Sequence, residues 1–346
     1  GAAASVGAQI HDMVLSPDDA TGNTLYVAVR SFPTAAAGGV WKTTNAKASP
    51  PTYTKVGNGF ANTANANPGI RRITVGIGGA GSGSTLYAAL GNTSSNLWGL
   101  YKTTDGGATW GHVDNGNNGT ANVAGGSRTV VRVTGPSFTS LMVGRRIVIN
   151  NTYSRTVASV AGDGNSLTFS VGEATLSAST LAGATWSVGT YPRYCDGQCF
   201  YDMTVGVDPQ DANVVYVGGN PQYFNDDKAS LGASCTTSSA CPRHSVWRTD
   251  DGGLTWRGVS QGDGVTGGLH VDDHAIVFDP SVSPSRVFNG NDGGIWRSDD
   301  KGASWDSMNT NIAITQFQSV GLHPSNPGIV IGGTQDNGTN ILDPSL

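Results

Sequence analysis

The sequence predicts an all-β chain folded as a propeller of four-stranded blades. Two observations carry this: an eight-position pattern that recurs three times, and an order of alternating strands that repeats around it. The pattern Ser/Thr-x-Asp-x-Gly-x-Ser/Thr-Trp is met at Thr103, Asp105, Gly107 and Trp110, at Thr249, Asp251, Gly253 and Trp256, and at Ser298, Asp300, Gly302 and Trp305. Each copy follows an aromatic-basic pair: Tyr101-Lys102, Trp247-Arg248 or Trp296-Arg297. A degenerate copy, Trp41-Lys42-Thr43-Thr44-Asn45, precedes them. In a tight turn Asp accepts backbone N–H bonds, Gly takes the backbone angle that other residues avoid, and the hydroxyl adds a further bond. Repeats of this size decide the architecture before any other signal.

Each unit opens with an alternating strand that ends in a turn, such as Met203-Thr204-Val205-Gly206-Val207-Asp208-Pro209 or Ala275-Ile276-Val277-Phe278-Asp279-Pro280. A β-branched or aromatic strand follows, for example residues 25–29, 86–90 and 214–217. Third comes the aromatic-basic strand, then the turn, then a short fourth strand. Period-2 alternation broken by Pro, Asn and Gly is the signature of strands, and four strands per repeat make a propeller blade. Units begin near residues 11, 71, 201, 273 and 316. Four are complete, and the fifth is expected to stop before any third strand, which makes a piece of a longer chain the favoured expectation. Residues 1–115 are assigned to the first two blades and 196–346 to the third, fourth and partial fifth. Residues 116–195 carry no such turn, and runs such as Thr129-Val130-Val131-Arg132-Val133 mark them as a small β insertion domain.

Bulk properties agree. The 346 residues include 50 glycines and only 13% charged residues, a balance suited to a turn-dense β protein. A net charge of −5 gives no reason to expect nucleic acid as partner. No run approaches the roughly 18 apolar residues of a membrane span. The cysteines fall in two close pairs, Cys195/Cys199 and Cys235/Cys241, neither at a zinc spacing. Two small disulfide loops are the preferred reading, although four cysteines allow three connectivities. Disulfides place the chain in an oxidising compartment, so it is expected to be secreted, extracellular or periplasmic.

The turn pattern resembles the Asp-box (BNR) repeat of sialidases, sortilin-type receptors, xyloglucan-hydrolysing endoglucanases and photosystem assembly factors. The resemblance covers most of the chain outside residues 116–195. It implies a propeller in which the box is a structural hairpin, remote from the binding site.

Function is therefore sought where the blades differ. First-to-second-strand turns and boxes are short throughout. Second-to-third and fourth-to-first connections carry the elaboration, and in a meander both emerge on one face. Asp292 aligns opposite Ala37, Leu97 and Arg243, so the blade does not require it. Its context, Asn291-Asp292-Gly293-Gly294-Ile295-Trp296-Arg297, resembles the stretch that carries a catalytic aspartate in the xyloglucan-hydrolysing family, with Asn for Thr and one residue fewer before the glycines. Asp336, at a comparable link, is the candidate second carboxylate. Inverting glycoside hydrolysis needs the two about 6.5–9.5 Å apart. In His270-Val271-Asp272-Asp273-His274, alternation is expected to turn His270, Asp272 and His274 to one side, as pocket lining or as structural hydrogen-bonders. Tyr223, Asp226 and Asp227 are further ligand-binding candidates, and Ca²⁺ is the one cation weighed there. No other cofactor or metal is expected. Glu173 is the sole glutamate, which argues against a sialidase. Three expectations follow: a secreted module binding glycan or protein through its decorated face, a xyloglucanase-like hydrolase using paired aspartates, or a matrix protein self-assembling through open blade edges.

Overall fold

The computed structural model describes residues 8–31, 38–57, 60, 70–113, 118–134, 137–138, 146–149, 153–171, 175, 179–188, 194–195, 197–222, 244–253, 256–260, 269–310, 317–334 and 338–344. All regular structure among them is β. The first blade comprises β1 (Ala8–Leu15), β2 (Leu25–Ser31), β3 (Gly39–Thr43) and β4 (Thr54–Lys55). The second comprises β5 (Ile70–Ile77), β6 (Leu86–Asn92), β7 (Leu97–Thr103) and β8 (Gly111–His112). A β2–β5 bridge at Ser31 and Ile70 joins these two blades into one sheet.

Six strands follow: β9 (Asn118–Val123), β10 (Thr129–Arg132), β11 (Arg146–Ile149), β12 (Tyr153–Val160), β13 (Ser166–Phe169) and β14 (Leu181–Val188). They close into a barrel in the order β10-β13-β12-β11-β14-β9. Its core is its own. Trp186 meets Phe138 edge to face at 4.9 Å, among Ile147, Ile149, Val157, Leu167 and Phe169. Closure removes the open edges of these short strands.

The third blade is β15 (Met203–Asp208), β16 (Asp211–Gln222), β17 (His244–Thr249) and β18 (Arg257–Gly258). The fourth is β19 (Asp273–Asp279), β20 (Arg286–Asn291), β21 (Gly294–Ser298) and β22 (Asp306–Ser307). A last sheet holds β23 (Phe317–Leu322), β24 (Val330–Thr334) and β25 (Thr339–Leu342). Here the sequence expectation is corrected. The fifth unit does have a third strand, because the chain reverses through Gly338 (φ 76°) and the Thr334 N–H donates to the Gly338 carbonyl.

First strands pack on first strands along the series β1, β5, β15, β19. Close approach is set by small residues: a Cβ on Gly206 would lie 2.6 Å from Ile276 Cγ2 of the next blade. The aromatic-basic strand pairs across the sheet as well. Lys42, Lys102 and Arg248 lie 5.0, 5.2 and 5.4 Å from the ring centroids of their strand partners Tyr26, Tyr87 and Tyr216. Cation–π attraction thus explains the basic residue in the first three blades, while Arg297 of the fourth pairs with Asp299 and Asp306.

The turns form the hydrogen bonds their residue types allow. Thr103 Oγ1 donates to Asp105 Oδ1 (2.6 Å) and accepts from Gly107 N (3.0 Å), while Thr109 N donates to Asp105 Oδ1 (2.9 Å). Ser298, Asp300, Gly302 and Ser304 repeat the set, and Thr249, Asp251 and Gly253 repeat its first half. In the first blade Asn45 stands in for Asp, and the loop is longer: Thr52 N donates to Asn45 Oδ1 (2.9 Å).

One regularity was not read from the sequence. The residue after the fourth strand of each of the first three blades, Val56, Val113 or Val259, fills the space beside the box glycine of the next blade, Gly107, Gly253 or Gly302. Trp110 Nε1 and Trp305 Nε1 then donate to the carbonyls of Val56 (2.8 Å) and Val259 (2.7 Å). Trp256 instead donates to Gly253 O in its own turn. Each box is therefore also an inter-blade clamp.

Candidate functional site

Three side chains, two from connections and one from the start of a strand, converge at the elaborated end of the third and fourth blades. Tyr201 precedes β15, His274 lies at the start of β19, and Asp292 sits in the two-residue link between β20 and β21. The Tyr201 hydroxyl lies 3.1 Å from both Asp292 carboxylate oxygens, and His274 Nε2 lies 2.7 Å from Oδ1. The Tyr201 and His274 rings meet edge to face at 4.8 Å. Side-chain exposure falls from 35% at His274 to 13% at Asp292, so the carboxylate forms the floor of the cluster. Both connection classes expected on the decorated face contribute to it.

The Asp292 turn is braced from behind. Asn291 Oδ1 accepts from Gly293 N (2.9 Å), Asn291 Nδ2 donates to Asn289 Oδ1 (2.8 Å), and Asn289 Nδ2 donates to Asp273 Oδ1 (2.7 Å). Asp273 Oδ2 accepts from Gly219 N of the third blade (3.2 Å). All three side chains of this ladder are buried. Satisfied buried networks of this kind rigidify what they support. His270 packs under Gly293, where a Cβ would come within 2.4 Å of the His270 Cβ. Glycine is thus required beside Asp292 by close approach.

Tyr201 is held from the other side. The Cys195–Cys199 disulfide closes a short loop in the core between the second and third blades. Cys199 N donates to Ser95 O (3.0 Å) and Gly197 N to Asn96 Oδ1 (3.0 Å), both in the β6–β7 link. Arg72 Nη1 donates to the Phe200 carbonyl (3.3 Å), and the Arg71 guanidinium lies 4.5 Å from the Phe200 ring centroid. Phe200 and Tyr201 are 44% and 41% exposed despite these anchors. A Cys195→Ser/Cys199→Ser variant is expected to lower the thermal unfolding midpoint, since both bridged sulfurs are buried in this core.

Beneath Tyr201 lies a buried carboxyl pair. Asp202 is fully buried, and burial, followed by the neighbouring Asp272 carboxyl, pushes its pKa far above the usual carboxylate range. Burial raises Asp273 to about 7, against the pull of its bonds to Asn289, Ser245 and Gly219. Arg72 faces Asp202 and Asp12 from the second blade.

His270, Asp272 and His274 do not share a side. Asp272 adopts a left-handed backbone (φ 63°), β19 begins only at Asp273, and a register shift follows before Ala275. Alternation therefore fails: His274 meets Asp292, Asp272 turns inward to Asp202, and His270 packs on Gly293. Asp336, Tyr223, Asp226, Asp227, Cys235 and Cys241 lie outside the described residues. Among the described residues no three His, Cys, Asp or Glu are placed to hold a metal ion, and no helix is long and apolar enough to cross a membrane. Tyr201 and Asp202 were missed by sequence reasoning. The available signal was a Cys-x₃-Cys pair followed at once by two aromatics and an inner strand.

The described residues thus define an all-β protein of propeller blades with a carboxylate–phenol–imidazole cluster at one rim. No protein-family model and no curated protein matches the chain. Among solved structures it is similar to a GH74 xyloglucanase from Xanthomonas campestris at 15% identity and TM-score 0.43, over 95% of this chain and 34% of that one. It is also similar to YCF48 bound to D1 peptide, at 12% identity and TM-score 0.27, over 96% of this chain and 78% of that one. The endosialidase of phage phi92 aligns at 10% identity and TM-score 0.33, over 94% of this chain and 50% of that one. The chain therefore spans about a third of the xyloglucanase and half of the endosialidase.

Proposed function

We propose that the chain is a secreted propeller module that binds glycan at the Tyr201–His274–Asp292 cluster without cleaving it. The observation that carries this reading is the convergence of a phenol and an imidazole on one braced carboxylate beside an exposed aromatic ring. A carboxylate accepts from sugar hydroxyls, and phenol and imidazole both donate and accept. An aromatic ring beside them offers a face to the apolar side of a pyranose. Sites of this composition, an apolar surface with a few fixed polar groups, are typical of small-ligand recognition. The disulfide at Cys195–Cys199 supports an oxidising compartment.

The hydrolytic reading rests on the same Asp292. It needs a second carboxylate across the ligand. Among the described residues, Asp202, Asp272 and Asp273, the carboxyls that lie behind the cluster, are buried, and Asp336 lies outside the described residues. On the described residues, binding is preferred to turnover. A glycan array probed with the intact protein, with released reducing ends assayed on every positive spot, separates the two. Binding without product is expected. Product that vanishes in Asp292→Asn would replace this reading with the hydrolase.

A further inference from the structure

We propose that the cluster is one half of a two-ring platform, Phe200 and Tyr201, that takes a neutral oligosaccharide of at least two sugar units; this rests on the glycan reading above. The two rings are sequence neighbours, and both are exposed. Their centroids lie 6.4 Å apart with planes inclined by 44°. That separation suits consecutive pyranose rings of one chain, not a single sugar lying across both.

The platform is built, not incidental. An exposed phenylalanine on a loose loop loses its rotamer freedom on binding. Phe200 has lost much of it beforehand. Arg71 stacks on its ring, Arg71 Nη1 is itself fixed by Ser95 Oγ (2.8 Å), Arg72 holds the Phe200 carbonyl, and the disulfide closes the loop behind. A cation against one side of an aromatic ring is a stable arrangement, and it leaves the exposed part of the ring for a ligand.

The chemistry divides between the two halves. Tyr201 brings polar partners, Asp292 and His274, that can fix one sugar by its hydroxyls. Phe200 carries no polar atom and offers ring surface only. The negative face of an aromatic ring attracts the slightly positive C–H bonds of a sugar face. Asp292, the carboxylate in the floor, disfavours an acidic sugar at the Tyr201 half. A neutral chain satisfies both halves.

The test uses the intact protein and arrayed neutral β-linked and α-linked glucose, mannose, xylose and galactose series from one to six units, with uronic acid series alongside. At least one neutral series is expected to bind, with affinity rising about tenfold or more from one unit to two or three. Phe200→Leu, which keeps the bulk and loses the ring, is expected to abolish that rise while leaving the single-unit signal. Phe200→Trp is expected to restore it. Binding without length dependence, or a length dependence untouched by Phe200→Leu, would overturn the platform and leave the glycan site at Tyr201 standing. Preference for the uronic acid series would overturn the neutral assignment. Absence of binding to every series, or capture of protein ligands alone, would remove the glycan reading itself and the platform with it.

Discussion

Gly253→Ala is expected to destabilise the protein by about 2–6 kcal/mol, read as a fall in the denaturation midpoint. Two independent costs combine. Gly253 adopts φ +100°, a region other residues enter at about 1–3 kcal/mol. Its added Cβ would also lie 2.1 Å from Val113 Cγ1, in the seam between the second and third blades. Overpacking of this kind costs roughly 1–3 kcal/mol. The parts separate in a double-mutant cycle. Val113→Ala relieves the clash but not the backbone strain, so the two substitutions should couple favourably. Gly111→Ala is the control: nothing lies within 4 Å of its Cβ position, and its effect should stay within about 0.5 kcal/mol. A Gly253→Ala protein as stable as wild type would show that the box is not a clamp between blades.

The second large effect is expected from Asp202→Asn, and it depends on pH. Burial, and then the adjoining Asp272 carboxyl, hold the folded-state pKa of Asp202 far above the value near 4 of an unfolded aspartate. The folded state therefore keeps a proton that the unfolded chain releases. Through this window unfolding sheds a proton, so rising pH lowers stability, by about 1.4 kcal/mol per unit for one full proton. Below about pH 4 both states hold the proton and the term disappears. Asp273, raised to about 7, adds the same sign up to neutrality. Asparagine mimics the protonated acid, because its amide can donate to Asp272 as the carboxyl proton does. Wild type and variant should match near pH 4. The variant should be the more stable by pH 9, and its stability should fall less steeply between them. Denaturant midpoints at pH 4, 6, 7.5 and 9 read this directly, and parallel curves would mean that Asp202 is ionised in the native protein.

The repeat was legible because its residues act locally. Thr103, Asp105 and Gly107 bond within one turn, so their spacing alone describes the geometry. The seam valines were not legible. Val56, Val113 and Val259 follow two-residue strands, and their partner glycines lie a blade away in sequence. Asp292 was singled out because it departs from the blade pattern, and it does stand in the cluster. Tyr201 meets it only because the disulfide loop and the second blade hold Phe200 and Tyr201 at the rim. The grouping of His270, Asp272 and His274 rested on strand alternation. It failed at the left-handed backbone of Asp272, which periodicity cannot anticipate. The third strand of the last sheet, Thr339–Leu342, was not legible because it carries neither the aromatic-basic pair nor the turn pattern that mark the third strands of the other units.

The most direct test of the glycan site is calorimetric titration of the strongest neutral array ligand into wild type, Asp292→Ala and Tyr201→Phe, with thermal unfolding measured in parallel. Asp292→Ala should lose at least tenfold in affinity. Tyr201→Phe, which keeps the ring and removes the hydroxyl that holds the carboxylate, should lose less. Both proteins should unfold within a few degrees of wild type. Equal affinity in all three, with the fold intact, would place the ligand elsewhere on the propeller and contradict the site.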